Sequence, residues 1–243
     1  QLLKQSLIET GKTVIEASPM WQWDKNKLFS LIRKVHGEEL IQQALDKNNG
    51  VILALPHLGN WELLGLYCSS KYTTTSMYQK PKMIEIDSIV KHGRERFGAN
   101  LVPADHVGVK AMYKALKNNS CVCILPDQEP GKGNGVFAPF FGVPAYSMTL
   151  ISRLAKKTKA TVILAYSKRL PVAGGYEIIF SALPAMAEKL ENVNPEDSVE
   201  YLNAEMEKHI RNISEQYQWS YKRFRTQPAE VLATLTGKDF YNL

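Results

Sequence analysis

Short apolar runs bounded by turn residues alternate along this chain with longer segments whose apolar residues recur every three or four positions. Apolar, β-branched runs of four to eight residues indicate strands, whereas the three-to-four spacing indicates helices. The strands are predicted at residues 51–55, 73–78, 100–103, 121–125, 161–167 and 176–181. The helices are predicted at residues 3–17, 25–35, 38–47, 62–70, 83–97, 107–117, 148–157 and 195–217, with Asp24 capping the second.

Because strands alternate with helices, the sequence predicts an α/β fold: a mostly parallel mixed sheet flanked by helices on both faces. The 243 residues and their apolar fraction of 44% are enough for one substantial core. We therefore expect a single domain over residues 1–243. Its N-terminal portion, about residues 1–48, is expected to be helical and to pack around the sheet.

The net charge of +6 and the pI of about 9.1 favour acidic partners. No zinc-finger or RNP-like pattern accompanies the basic residues, so we expect no nucleic acid partner. The three cysteines form neither a disulfide framework nor a metal-binding spacing. There is no run of 18 apolar residues, and the chain starts at Gln1 instead of Met, so an upstream membrane anchor is expected to be missing.

The strand at 51–55 ends at Pro56 and delivers His57 to a tight turn, after which Asn60 can cap a helix that begins with Trp61 and Glu62. On one continuous helix, His57 and Glu62 would lie roughly 140° apart, so they can meet only if His57 lies in the turn. Glu62 would then orient the imidazole, and His57 would act as a general base toward a hydroxyl group. The alternative is that His57 is a turn residue and Glu62 a charge at the start of the helix.

Two further stretches carry chemistry. The predicted helix 83–97 bears Lys91, His92, Arg94 and Arg96, which suit either a clamp for phosphate or carboxylate groups or a solvated charged face. Asp127 and Gln128 follow the strand at 121–125, in a loop with glycines at 131, 133 and 135. No Gly-Lys-Ser/Thr follows these glycines, so we exclude a nucleotide site.

Three ordered blocks resemble the lipid A late acyltransferases of Gram-negative bacteria, within the glycerolipid acyltransferase superfamily. The first is His57-Leu-Gly-Asn-Trp-Glu62, and the second is Gly93-Arg-Glu-Arg-Phe-Gly98. The third joins Pro126-Asp-Gln128 to Phe140-Phe-Gly-Val-Pro-Ala145, with Asp-Gln where the wider superfamily has Glu-Gly. That departure points to the saccharolipid branch. The stretch from Trp219 to Arg225 resembles a further family segment, or is a basic surface patch with aromatic anchors.

The resemblance implies transfer of a fatty acyl chain from acyl carrier protein to a hydroxyl of a lipid A precursor, at the cytoplasmic face of the inner membrane. It implies His57 and Glu62 as the catalytic pair and requires neither a metal nor an organic cofactor. Substrate-binding roles carry over to Arg94 and Arg96, and to Asp127, Gln128 and Asn60. The expected partners are acyl carrier protein, the lipid A precursor and an anionic membrane surface.

Three alternatives remain open from the sequence. The protein could acylate another membrane glycolipid, such as a glycosylated phosphatidylinositol, or be an inert membrane-surface module. It could also be a metal-dependent hydrolase with ligands from His57, Glu62, His92, His106 and Asp127. The membrane surface itself is predicted to combine an aromatic run with cations: Phe137, Phe140, Phe141, Lys156, Lys157, Lys222, Arg223 and Arg225.

Overall fold

The computed structural model describes residues 1–81, 83–191 and 194–234. Seven strands form one sheet in the order β1-β9-β8-β2-β5-β3-β4, in which only the β8–β9 pair is antiparallel. The strands of this sheet are β1 Ile32–His36, β2 Val51–Ala54, β3 Thr74–Tyr78, β4 Asn100–Pro103, β5 Cys121–Ile124, β8 Thr161–Arg169 and β9 Tyr176–Ala182. A separate antiparallel hairpin joins β6 Gly135–Phe140 to β7 Val143–Met148. The predicted α/β class is therefore confirmed.

Helices cover both faces of the sheet. They are α1 Leu2–Gln22, α2 Lys25–Phe29, α3 Glu39–Leu45, α4 Trp61–Lys71, α5 Asp87–Glu95, α6 His106–Lys117, α7 Leu150–Thr158, α8 Met186–Glu191, α9 Pro195–Asn212 and α10 Ala229–Thr234. Alternate residues of β2 point to opposite faces: Ile52 packs with side chains of α6, α7 and α9, and Leu53 with side chains of α3 and α4. The core thus lies in two layers, one on each side of the sheet.

β2 lies at the centre of the sheet, between β5 and β8, and all four of its residues are buried. Its alignment with β5 pairs Ala54 with Ile124, so that both strands end at the same level. Since the two strands are parallel, the residues that follow them, His57 and Asp127, emerge at the same edge of the sheet. This register positions the candidate site.

Some predicted elements differ from the structure. The helix predicted at 25–35 ends at Phe29, and Ile32–His36 forms β1, so the N-terminal portion is not wholly helical. β1 pairs with β9 at the sheet margin, where tertiary pairing prevails over the local helical spacing. The helix predicted at 83–97 is a 3₁₀ turn at Ile84–Ile86 followed by α5, and the helix predicted to reach 217 ends at Asn212.

Candidate active site

His57 lies in a turn between β2 and α4 that tertiary contacts hold rigidly. Gly59 has a φ of +68°, and a Cβ atom there would lie 1.8 Å from the Ser167 carbonyl oxygen. Only glycine therefore allows the turn to approach β8 this closely. The backbone N–H of Asn60 donates to the Ser167 carbonyl (2.8 Å), and that of Gln218 donates to the His57 carbonyl (3.0 Å).

Asp127, not Glu62, orients the imidazole of His57. The Nδ1 atom of His57 lies 2.8 Å from Oδ1 of Asp127, and the backbone N–H of His57 donates to Oδ2, also at 2.8 Å. Asp127 is only 2% exposed. Burial opposes its ionisation, but the charge of His57 and the two hydrogen bonds outweigh burial, so the pKa of Asp127 lies below its ordinary value. An ionised, buried carboxylate against Nδ1 favours the tautomer in which Nε2 is the basic nitrogen.

Glu62 is engaged elsewhere. Its carboxylate accepts hydrogen bonds from Nε of Arg94 (3.0 Å), from Nη2 of Arg94 and from the indole N–H of Trp21 (3.0 Å). Burial opposes ionisation of Glu62, but Arg94, Trp21 and His57 together lower its pKa. The predicted hydrogen bond between the imidazole of His57 and Glu62 is therefore wrong. Glu62 binds Arg94, and Asp127 binds His57.

The two predicted arginines have different surroundings. Arg94 lies beside the Tyr78 ring, 5.6 Å from its centroid, and faces the same cleft as His57 and Glu62. Arg96 instead donates to the backbone carbonyls of Met20 (2.7 Å) and Trp23, at the carboxyl end of α1. Carbonyl groups at the end of a helix have no N–H partner within the helix, so the guanidinium of Arg96 caps α1.

Asn60 and Gln128, the other two predicted substrate-binding residues in this region, make different contacts. Asn60 is buried; its side-chain oxygen accepts from the backbone N–H of Leu63 (2.9 Å), and its amide donates to Glu16 on α1 (2.8 Å). The bond to Leu63 is the predicted cap of the helix. Together the two bonds give Asn60 a structural role. The amide nitrogen of Gln128 lies 3.3 Å from Nε2 of His57 and 3.4 Å from the side-chain oxygen of Gln218.

A cleft of about 560 Å³ opens beside His57. Its walls come from α1, from the start of α4, from residues 78–81, from α5 and from residues 216–218. Apolar and aromatic side chains form much of the lining: Val14, Ala17, Trp21, Trp61, Tyr78, Ile86, Val90 and Tyr217. His57, Glu62 and Arg94 thus share one cleft with space for an aliphatic chain.

The family model of the bacterial lipid A biosynthesis acyltransferases matches residues 1–226. The chain belongs to this family. It is therefore an acyltransferase with a role in lipid A biosynthesis, and the resemblance seen in the three blocks is confirmed.

Curated acyltransferases of the same kind align over almost the whole chain. The lipid A biosynthesis lauroyltransferase of Escherichia coli K12 is 26% identical over 232 residues, which are 95% of this chain and 74% of that protein. The palmitoleoyltransferase of the same organism is 25% identical over 94% of this chain and 72% of its own length. A phosphatidylinositol mannoside acyltransferase of Mycobacterium tuberculosis H37Rv is 27% identical over 55% of this chain and 43% of its own length.

For this lipid A acyltransferase, the predicted membrane surface requires correction. Phe140 is fully buried, and Arg223 is 3% exposed, since its guanidinium donates to the Tyr146 carbonyl (2.8 Å) and to the Ser147 hydroxyl. These two residues belong to the core beside Asp127 and Tyr217, not to a surface. No helix in the described part of the chain is both long and apolar enough to cross a bilayer.

Three residues of the site escaped the sequence reasoning: Trp21, Tyr217 and Gln218. Trp21 donates to Glu62 across 41 residues of chain, and the Tyr217 side chain lies near Asp127, so that burial and the charge of Asp127 raise the pKa of Tyr217. No local spacing signals such contacts. The alternative metal site does not assemble, because no three His, Cys, Asp or Glu side chains among the described residues are grouped to hold an ion.

Proposed function

We propose that the protein transfers a fatty acyl chain from acyl carrier protein to a hydroxyl group of a lipid A precursor, at the cytoplasmic face of the inner membrane of a Gram-negative bacterium. The observation that carries this proposal is the His57–Asp127 pair beside an apolar cleft, in a chain of this family. A base alone suits many reactions. A base beside a slot for an aliphatic chain suits acyl transfer.

In the proposed reaction, Nε2 of His57 takes the proton of the acceptor hydroxyl while its oxygen attacks the carbonyl carbon of the thioester. The C–S bond of the resulting tetrahedral intermediate then breaks, and the leaving thiolate receives that proton from His57. Asp127 keeps Nδ1 protonated and stabilises the imidazolium formed between these steps. Backbone N–H groups at the start of α4 are the proposed donors to the oxyanion.

Arg94 is the proposed contact for an anionic group of a substrate. Its Nε and Nη2 atoms are fixed by Glu62, and the Arg94 side chain, which lines the cleft, is one-third exposed. Glu62 therefore acts through Arg94, as a positioning residue. Gln128, beside Nε2 of His57, is the proposed contact for the hydroxyl or the carbonyl that reacts there.

A second acceptor class is supported by one observation: a phosphatidylinositol mannoside acyltransferase aligns with 55% of the chain. Both acceptors present sugar hydroxyls next to lipid chains and anionic phosphate, so the same cleft chemistry suits either. The lipid A precursor is preferred because the relatives that act in lipid A biosynthesis align over nearly the whole chain.

The test is an acyl transfer assay with purified protein, in which mass spectrometry identifies the products. Each acceptor is offered in turn with an acyl thioester of acyl carrier protein or of coenzyme A. We expect an increase in acceptor mass of one acyl group, fastest with the carrier protein and the lipid A precursor. Acylation of the mannoside alone would contradict the acceptor, and equal rates with both thioesters would contradict the donor.

A further inference from the structure

Among the described residues, most of the exposed large apolar side chains lie on α1 or on residues 83–89, two segments that also contribute residues to the cleft. Thirteen large apolar side chains of the described residues are exposed, and ten of these lie on α1 or within residues 83–89. We call these ten the apolar rim: Leu2, Leu3, Leu7, Ile8, Val14, Ile15, Met83, Ile84, Ile86 and Ile89. Exposed apolar residues scattered singly need no explanation, whereas their concentration on two neighbouring segments indicates an interaction surface.

Four residues of the α1 part of the rim lie on the exposed side of the helix. Taking about 100° per residue, Leu3, Leu7 and Val14 lie within about 40° of one another, and Ile15 lies about 100° further round. These four side chains are 62–75% exposed. The opposite side of α1 is secured to the body of the protein, since Glu16 and Thr13 accept hydrogen bonds from the buried Arg169. α1 therefore presents this apolar face outward while its other side is fixed.

The second part of the rim lies on residues 83–89, of which Ile86 lines the cleft. It comprises the 3₁₀ turn Ile84–Ile86 with Met83, and Ile89 on α5. Val14 from one side and Ile86 from the other are both exposed and both line the cleft. At these two positions the apolar lining of the cleft continues onto the rim.

We propose that the apolar rim inserts into the surface of a lipid bilayer, so that the cleft opens directly among the lipid chains. This inference rests on the proposed function, whose acceptor is an amphiphile that stays in the bilayer. Charge supports a bilayer with anionic lipid as the occupant, because exposed Lys4, Lys80 and Lys91 border the rim, with Glu85 as the exposed acid within it. Two acids on the inner side of α1, Glu9 and Glu16, are paired with Arg169 and so do not repel such a surface.

The insertion geometry also accounts for the composition of the rim. Interfacial segments combine large aliphatic side chains with lysines at their borders, because aliphatic groups enter the acyl boundary while ammonium groups stay at the headgroups. A surface that binds an acidic carrier protein is expected to consist mainly of exposed cations, whereas the rim consists mainly of aliphatic side chains. A second copy of this chain is the remaining competitor, and the experiment separates it.

The experiment compares a triple variant of the rim with a double variant elsewhere on the surface, by co-sedimentation with vesicles of phosphatidylethanolamine and phosphatidylglycerol. The rim variant is Leu3→Ser/Leu7→Ser/Ile15→Ser, whose residues do not line the cleft. The matched control is Val107→Ser/Val172→Ser, since these side chains are 53% and 99% exposed and lie off the rim. We expect the vesicle partition coefficient to fall at least about tenfold in the rim variant, because three aliphatic contacts are lost, and to be unchanged in the control.

A second readout is the acyl transfer rate of both variants, with the acceptor either in vesicles or dispersed in detergent. The rim variant should be slow only with vesicles. Unchanged vesicle binding in the rim variant, or an equal loss in the control, would overturn the proposal. So would a rim variant whose only change is conversion of a dimer to a monomer on size-exclusion chromatography with light scattering. Since vesicle binding is measured without turnover, failure of the proposed reaction would appear separately, as inactivity of the parent.

Discussion

At the scale of single residues, the buried carboxylate of Asp127 is the group that most constrains the site. Burying a charge without a partner is costly, and here the partners are the ring and the backbone N–H of His57. Arg223, itself buried, adds a positive charge close by. These groups fix the imidazole in one orientation before any substrate arrives, as a general base requires.

Arg94 can be tested by a change that keeps its charge. In Arg94→Lys, the ammonium group cannot reproduce both the Nε and the Nη2 hydrogen bonds to Glu62, so Glu62 loses one charged hydrogen bond and the cation in the cleft is no longer held in a fixed orientation. Loss of a charged hydrogen bond of about 1.5–3 kcal/mol predicts a roughly ten- to hundredfold fall in kcat/KM. Arg153→Lys, at an exposed position on α7, is the matched control and should have no effect.

The contradicting result for this residue is full activity of a folded Arg94→Lys protein together with full activity of Arg94→Ala. Steady-state kinetics against the acceptor would show it directly. Arg94 would then belong to the structural pairing with Glu62 and not to substrate binding.

The partner of His57 shows what spacing alone can and cannot predict. The turn position of His57, the cap at Asn60 and the placement of Asp127 after a strand all followed from the sequence. The sequence favours Glu62 as the orienter because it is local, whereas Asp127 is 70 residues away. The sequence could not show that β2 and β5 are neighbours in the sheet, and this adjacency brings Asp127 to His57.

At the scale of elements, α1 does more than its amphipathic pattern suggested. The predicted helix 3–17 is confirmed and extends from Leu2 to Gln22. In its last turns, Trp21 donates a hydrogen bond to Glu62, and Glu16 accepts hydrogen bonds from Asn60 and Arg169. α1 is therefore a wall of the cleft, a role that depends on contacts distant in sequence and so could not be predicted.

Gly93 tests how closely α1 must approach α5. A Cβ atom at Gly93 would lie 2.5 Å from Cβ of Trp21, whereas one at Gly65, in the middle of α4, would meet nothing within 4 Å. Gly93→Ala should therefore lower the free energy of unfolding by about 1–3 kcal/mol through overpacking. It should also reduce activity, because Trp21 moves away from Glu62.

The matched control for Gly93 is Gly65→Ala. Replacing a helical glycine that has open space around it by Ala should raise the free energy of unfolding by about 0.5–1 kcal/mol. Urea denaturation measures both changes. Equal stabilisation by the two substitutions would show that the contact between Trp21 and Gly93 does not constrain the helices.

At the scale of the whole molecule, the parallel sheet gathers distant parts of the chain at one edge. His57 follows β2, Asp127 follows β5, and the segment after α9 closes the site with Tyr217 and Gln218. The fold class and this edge were predictable, because alternating strands and helices build such a sheet. The membrane surface was not, since aromatic and basic composition does not reveal that Phe140 and Arg223 point inward.

In the proposed reaction, His57 deprotonates the acceptor hydroxyl while Asp127 holds its imidazole. This role of Asp127 can be tested by measuring kcat for acyl transfer by Asp127→Asn, with the fold checked by circular dichroism and His57→Ala as the reference. An amide at this position can no longer hold Nδ1 protonated or stabilise the imidazolium. We predict a fall in kcat of the order of 10²–10⁴, approaching that of His57→Ala. A folded Asp127→Asn protein that turns over at the parent kcat would contradict the account.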